Sequence, residues 1–119
     1  MGSTQQAGEV TVVIHFRGID IDEDVREHLE SRCHQFASEF PETTHYELTI
    51  EPDGDNVRAH GHVVGKGMNT PARANGVADS RMAGDALLEK LHTELRRVHD
   101  KRIFTQRRKE QKKRANHEL

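Results

Sequence analysis

Residues 9–17, Glu-Val-Thr-Val-Val-Ile-His-Phe-Arg, alternate between apolar and polar positions. Val10, Val12, Ile14 and Phe16 fall on one side, and Thr11, Val13, His15 and Arg17 on the other. A period of two with β-branched residues predicts a strand with one buried face. After Gly18 and Asp20 the period changes. Val25, Leu29, Cys33, Phe36 and Phe40 recur every three or four residues, the stripe of a helix. Asp22 stands where an N-cap belongs, Glu23 and Asp24 suit the positive end of the helix dipole, and Pro41 stops the run.

Alternation then returns. Over residues 45–51, Tyr46, Leu48 and Ile50 point inward and His45, Glu47, Thr49 and Glu51 outward. Asp53-Gly54-Asp55-Asn56 predicts a turn, and residues 57–64 a third strand with small inward residues Val57, Ala59, Gly61 and Val63. Gly65-Lys66-Gly67 turns the chain again into a weaker fourth strand, residues 68–75. Pro71 places that strand at a sheet edge, because proline has no N–H for a ladder.

A second helix begins near Asp79 or Ser80. Its apolar positions are Ala83, Leu87, Leu88, Leu91, Leu95 and Val98. Gly84 within it costs about 1 kcal/mol relative to alanine on propensity alone. From Thr105 the apolar stripe is gone. The expected organisation is an α/β domain over residues 9–104 and a basic tail over 105–119, without structure when unbound.

The order is β-α-β-β-β-α. A strand–helix–strand unit makes the first two strands parallel, and the last three form an antiparallel meander. Both helices then cover one face of a four-stranded mixed sheet. The expected fold class is a two-layer α/β sandwich.

Charge changes the picture more than composition does. Residues 1–95 carry 8 Lys/Arg against 17 Asp/Glu, whereas residues 96–114 carry 10 against 2. The net charge of −2 conceals this division. A block so positive attracts a polyanion. If the helix continues to Arg108, then Lys90, Arg97, Lys101 and Arg108 lie within about 20° of one line. Arg96, Arg102, Arg107 and Lys109 flank that line, and Arg17, Lys66 and Arg73 are secondary candidates for the same role. With five aromatics and no tryptophan, a stacking platform for single-stranded bases is poorly supplied. The competing reading of the row is a solvated helix face. In it, Glu94 reaches Lys90 and Arg97, and Asp100 reaches Arg96 or Arg97.

Other chemistry is sparse. A single cysteine allows no internal disulfide and fits a reducing compartment. Cys33 sits on the apolar stripe beside His34, about 100° away around the helix, so the two make no nucleophile–base pair. His15, His45, His60 and His62 all fall on the strand faces opposite the core. With no cysteine or convergent carboxylate among them, they read as a polar sheet face rather than a metal centre. Asp20 to Asp24 resembles the start of a calcium loop, but Val25 and Ser31 occupy the places of its glycine and glutamate. No catalytic residue, metal or cofactor is expected. Met1 to Gln6 offer neither a basic region nor an apolar run, so neither a signal peptide nor a membrane span is expected, and the expected location is the cytoplasm.

Two stretches resemble a known family. Gly18-Ile19-Asp20-Ile21-Asp22-Glu23-Asp24-Val25-Arg26-Glu27 is similar to the strand end and helix start of the ribosome hibernation-promoting factors and ribosome-associated translation inhibitors. Ala78-Asp79, Asp85-Ala86, Glu89-Lys90-Leu91 and Leu95-Arg96-Arg97 resemble that family's second helix. The resemblance covers residues 9–103 and is to a short-form member, without the dimerisation domain of longer ones. The chain departs from the family pattern at Arg81, where an aromatic is usual. It departs again at Gly84, an apolar position, at Thr93, a basic one, and in the acidity of residues 20–30. What the resemblance implies is a non-enzymatic protein that binds the small ribosomal subunit and its rRNA at the mRNA and tRNA sites and inhibits translation. It would be a monomer when free, with no membrane or small-molecule substrate. The rival expectation is a double-stranded-RNA or general nucleic-acid module without ribosome specificity. Such a module needs basic residues at a helix N-terminus, where this chain has Asp79 and Asp85.

Overall fold

The computed structural model describes the backbone of residues 9–117 and the side chains of residues 9–105. The elements follow in the order β1 (Thr11–Phe16), α1 (Glu23–Glu39), β2 (Thr43–Asp53), β3 (Asn56–Gly65), β4 (Met68–Val77) and α2 (Ser80–His117). The four strands form one sheet in the order β1-β2-β3-β4. β1 runs parallel to β2, and β2–β3 and β3–β4 are antiparallel. This is the expected two-layer sandwich. Strand β4 lies at the edge, as Pro71 requires.

The two periods of the sequence meet in one core. Ile14, Tyr46, Leu48, Ile50, Val57, Ala59, Val63 and Ala74 project from the sheet onto Val25, Leu29, Cys33 and Phe36 of α1 and Ala83, Leu87, Leu88, Leu91 and Leu95 of α2. Both helices therefore cover one face, and the other face stays open. Cys33 is fully buried in this core, and burial pushes its thiol up to about 12. It is a packing residue, as its place on the stripe predicts.

Local signals account for the element ends. The Asp22 carboxylate accepts from the backbone N–H of Asp24 and Val25 and caps α1. Asp79 does the same for α2 by accepting from Met82. Two-residue turns at Gly54-Asp55 and Lys66-Gly67 close the hairpins, with φ of +64° at Gly54 and +69° at Gly67, values that favour glycine.

Two expectations change. The strand ends shift: β1 is shorter than the 9–17 expected, whereas β2 is longer by two residues at each end and β4 by two at its C-terminal end. Helix α2 also continues through the segment read as an unstructured tail, as far as His117; residues 118–119 lie outside the description. Arg, Lys, Gln, Glu and Ala are good helix formers, so the helix persists after its apolar stripe has ended.

Gly84 changes meaning altogether. It is buried where α2 crosses α1, and a Cβ built on it would lie 2.7 Å from both δ-carbons of Leu29. The residue that propensity marks as a defect is what allows the two helices to approach.

Candidate nucleic-acid interface and histidine face

Helix α2 has two halves. As far as Leu95 it carries buried leucines against the sheet. Val98 and His99 are half-buried, and residues 100–105 are exposed. The handover is held by His99, whose ring packs edge-on against Phe40 at 5.6 Å and whose Nδ1 lies 3.1 Å from the Glu42 carboxylate. Beyond this point the helix passes the β3–β4 turn, and the Arg102 guanidinium lies beside Gly67.

The cationic residues fall into groups. Lys90 is exposed and donates to the Arg73 carbonyl at 2.8 Å, so it is tied to the β4 edge. Arg73 itself is exposed on the open face, opposite His60 in the β3–β4 ladder. Lys101 and Arg102 adjoin Gly67 around a groove also lined by Glu42, Val98, His99, Ile103 and Thr105. That brings exposed Lys66, the other residue of the turn, to the same end of the molecule. Arg17 does not join them. It follows β1, at the opposite edge of the sheet, and its charge acts on Glu51. The side chains of Arg107, Arg108 and Lys109 lie outside the described residues, although their backbone continues α2.

Neutralisation within the helix is slight. Arg97 pairs with Glu94 at 3.6 Å, with 70% of its side chain exposed. Lys90 turns to a carbonyl instead of Glu94. Among the described residues, no carboxylate comes within ion-pair distance of Arg96, Lys101 or Arg102. An exposed cation without a protein partner is free to meet a phosphate.

The open face holds a second cluster. Glu47 lies at its centre, with Oε1 3.0 Å from His45 Nε2 and Oε2 2.9 Å from His15 Nε2. Hydrogen bonds from His45 and then His15 hold its carboxyl below the ordinary carboxylate range. His62 stands directly opposite Glu47 on β3, and its ring centroid is 6.1 Å from that of His45. Further along the same face Arg58 donates to Glu51 at 2.7 Å and holds that carboxyl down.

The four strand histidines face outward as expected, but the carboxylate Glu47, which converges with His15, His45 and His62, was missed; His60 lies instead 3.6 Å from Glu51. The signal lay in the turn. A two-residue loop at Gly54-Asp55 puts Asp53 opposite Asn56, and stepping back six residues on each strand puts Glu47 opposite His62. The helical histidines were also missed. His28 meets Asp85 at 2.7 Å and His92 meets Glu39 at 2.9 Å, and both pairs bridge α1 and α2. Each sits on the rim of an apolar stripe, and the partner becomes evident only once the helices are packed.

The sequence pattern of the family described as "Sigma 54 modulation protein / S30EA ribosomal protein" matches residues 12–103. Among curated proteins, none matches this chain. Solved structures share its architecture. A ribosomal subunit interface protein from Coxiella burnetii superposes with a TM-score of 0.69 at 21% identity, over 76% of this chain and 99% of its own. The N-terminal domain of Protein Y from Thermus thermophilus gives 0.63 at 19% identity, over 76% and 98%. At these identities the likeness is one of fold.

Proposed function

Because the chain belongs to the Sigma 54 modulation protein / S30EA ribosomal protein family, we propose that it binds the small ribosomal subunit in the space of messenger and transfer RNA and so holds translation off. The observation that carries this reading is the row of exposed cations on the outer half of α2, in which Arg97 shares an ion pair with Glu94 and Arg96, Lys101 and Arg102 meet no carboxylate among the described residues. Arg96, Arg97, Lys101 and Arg102 reach rRNA phosphates, and Lys90, Arg73 and Lys66 extend the contact along the β4 side. Arg107, Arg108 and Lys109 continue it. Arg17, on the far edge, contributes least.

The mechanism is steric. The sandwich is held rigid by a core that joins both helices to the sheet, and it fills a channel that RNA must otherwise occupy. The protein needs no catalytic group for this, and cytoplasmic ribosomes are its partner. Its acidic body is repelled by rRNA, which leaves the cationic helix to set the orientation. Asp79 and Asp85 at the start of α2 disfavour the alternative of a general double-stranded-RNA module.

Sedimentation with purified ribosomes tests this at two salt concentrations. The chain co-migrates with the small subunit at low salt and leaves it at high salt, because phosphate contacts release counterions. Arg96→Glu, Arg97→Glu and Lys101→Glu together abolish co-migration. They lower the slope of log affinity against log salt by about 3 if each residue meets one phosphate. Full co-migration of the triple variant would remove α2 as the interface.

A further inference from the structure

Besides the cationic helix, the sheet's open face carries a group of side chains with a different chemistry. We propose that His45, Glu47 and His62 form a binding site for a divalent transition cation of the zinc class. The nearest donor atoms of the three residues all lie within 4.8 Å of one another. A tetrahedral zinc ion bonds its donors at about 2.1 Å and so sets them about 3.4 Å apart. Small side-chain rotations close that difference. All three side chains are half-buried on the outward face, where they can turn without disturbing the core.

The backbone fixes the rest. His45 and Glu47 are two residues apart on β2 and share a face, and Glu47 and His62 are direct partners in the β2–β3 ladder. Three ligands on two paired strands cost little ordering entropy, because the ladder has already ordered them. Two imidazole nitrogens and one carboxylate oxygen are a donor set for zinc, nickel or copper. Calcium and magnesium, which need oxygen shells, have no claim on it.

His15 completes the arrangement. Its Nε2 lies 2.9 Å from the Glu47 oxygen that His45 does not use. From there it either orients the carboxylate or takes the fourth position. The neighbouring group shows why the site belongs here and not further along the sheet. Glu51 is engaged by the permanent charge of Arg58, which repels a cation. The partners of Glu47 are imidazoles, which in neutral form give a lone pair to a metal.

Calorimetric titration of the untagged full chain with Zn²⁺ at neutral pH tests the proposal. One equivalent binds. His45→Gln with His62→Gln lowers the affinity at least about tenfold per ligand lost, the scale on which metal sites lose affinity when their supporting groups are mutated, whereas His34→Gln, on an exposed position of α1, leaves it unchanged. Imidazole NMR of the unaltered chain gives a second readout that needs no variant. Zn²⁺ moves the His45 and His62 resonances at one equivalent and leaves His34 in place. No binding, binding retained by the double variant, or shifts centred on other histidines would each overturn the site. Ribosome binding enters none of these measurements, so the result stands apart from the function proposed above.

Discussion

Substituting alanine for Gly84 sets two physical effects against each other. Within an isolated helix, Gly84→Ala stabilises by about 1 kcal/mol. Within this fold the new Cβ would lie 2.7 Å from Leu29 Cδ1 and Cδ2 and 3.2 Å from Cγ. Ordinary carbon contacts lie at about 3.5–4.0 Å, so the overlap approaches 1 Å at two atoms. Leu29 is completely buried and cannot swing into solvent. Overpacking of this kind costs about 1–3 kcal/mol. Packing therefore wins, and the net effect is a loss of about 1 kcal/mol, or about 4 °C in Tm for a domain of this size.

The same substitution reverses its sign once the obstacle is removed. Leu29→Ala alone costs about 2–5 kcal/mol through its cavity. In that background the Gly84→Ala methyl enters empty space, and the helix-propensity gain of up to about 1 kcal/mol returns. Urea unfolding of the parent, both single variants and the double variant measures the coupling directly, provided the m-values agree. A coupling of about 2 kcal/mol is expected. Gly84→Ala raising the stability of the parent chain would refute the close crossing of α1 and α2.

Gly61→Ala is more severe. Its Cβ would run into the backbone carbonyl oxygen of Glu47 and lie 3.1 Å from Leu48 Cα, atoms that cannot move without opening the β2–β3 ladder; a loss of about 3 kcal/mol or more is expected in the same urea assay. Cys33, its thiol pushed up to about 12 by burial, reacts with a thiol reagent at pH 9 only through unfolding, so labelling follows the global unfolding rate. The raised value also means that stability falls as pH climbs from about 9 towards 12, where the unfolded thiol ionises and the folded one does not. Glu51 acts at the other end of the scale. Its folded pKa is depressed, first by the hydrogen bond from Arg58, so its contribution is complete above the ordinary carboxylate value of 4.5 and is lost as pH falls through the folded value. Acid titration of stability is accordingly shallower in Glu51→Gln than in the parent chain.

What the sequence reveals about this fold is what depends on local period. Alternation and the three-to-four stripe were sufficient to find all six elements and their order, and Asp22 and Pro41 marked the ends of α1 through chemistry that acts within a few residues. The strand ends were less legible, because β2 extends over Pro52 and Asp53, residues that read locally as turn. Gly84 was misread for a deeper reason. Its role is set by Leu29, on another helix, and no local pattern reports a helix crossing. The cationic row was visible as charge density, but its grouping with the β3–β4 turn arises only when α2 is laid across the sheet. The histidine face lies between these cases. Every residue of it was placed on the correct side, and the missing step was to carry the hairpin register from the turn to Glu47.

The division of charge follows from the division of α2. A helix that covers a sheet must give one side to leucines, and as far as Leu95 this one does, with Asp85, Glu89 and Glu94 offsetting Arg81 and Lys90 on its rim. Once the stripe of buried leucines ends, cations can stand three and four residues apart. Like charges at that spacing repel by a few tenths of a kcal/mol per pair. The sheet-bound half supplies the stability that offsets this repulsion, and His99 on Phe40 and Glu42 fixes the point where the two halves join. A polyanion laid along the outer half removes the repulsion altogether. The same residues that weaken the free helix are therefore those through which a phosphate backbone would strengthen it, and the buried leucines make that arrangement tolerable before any partner arrives.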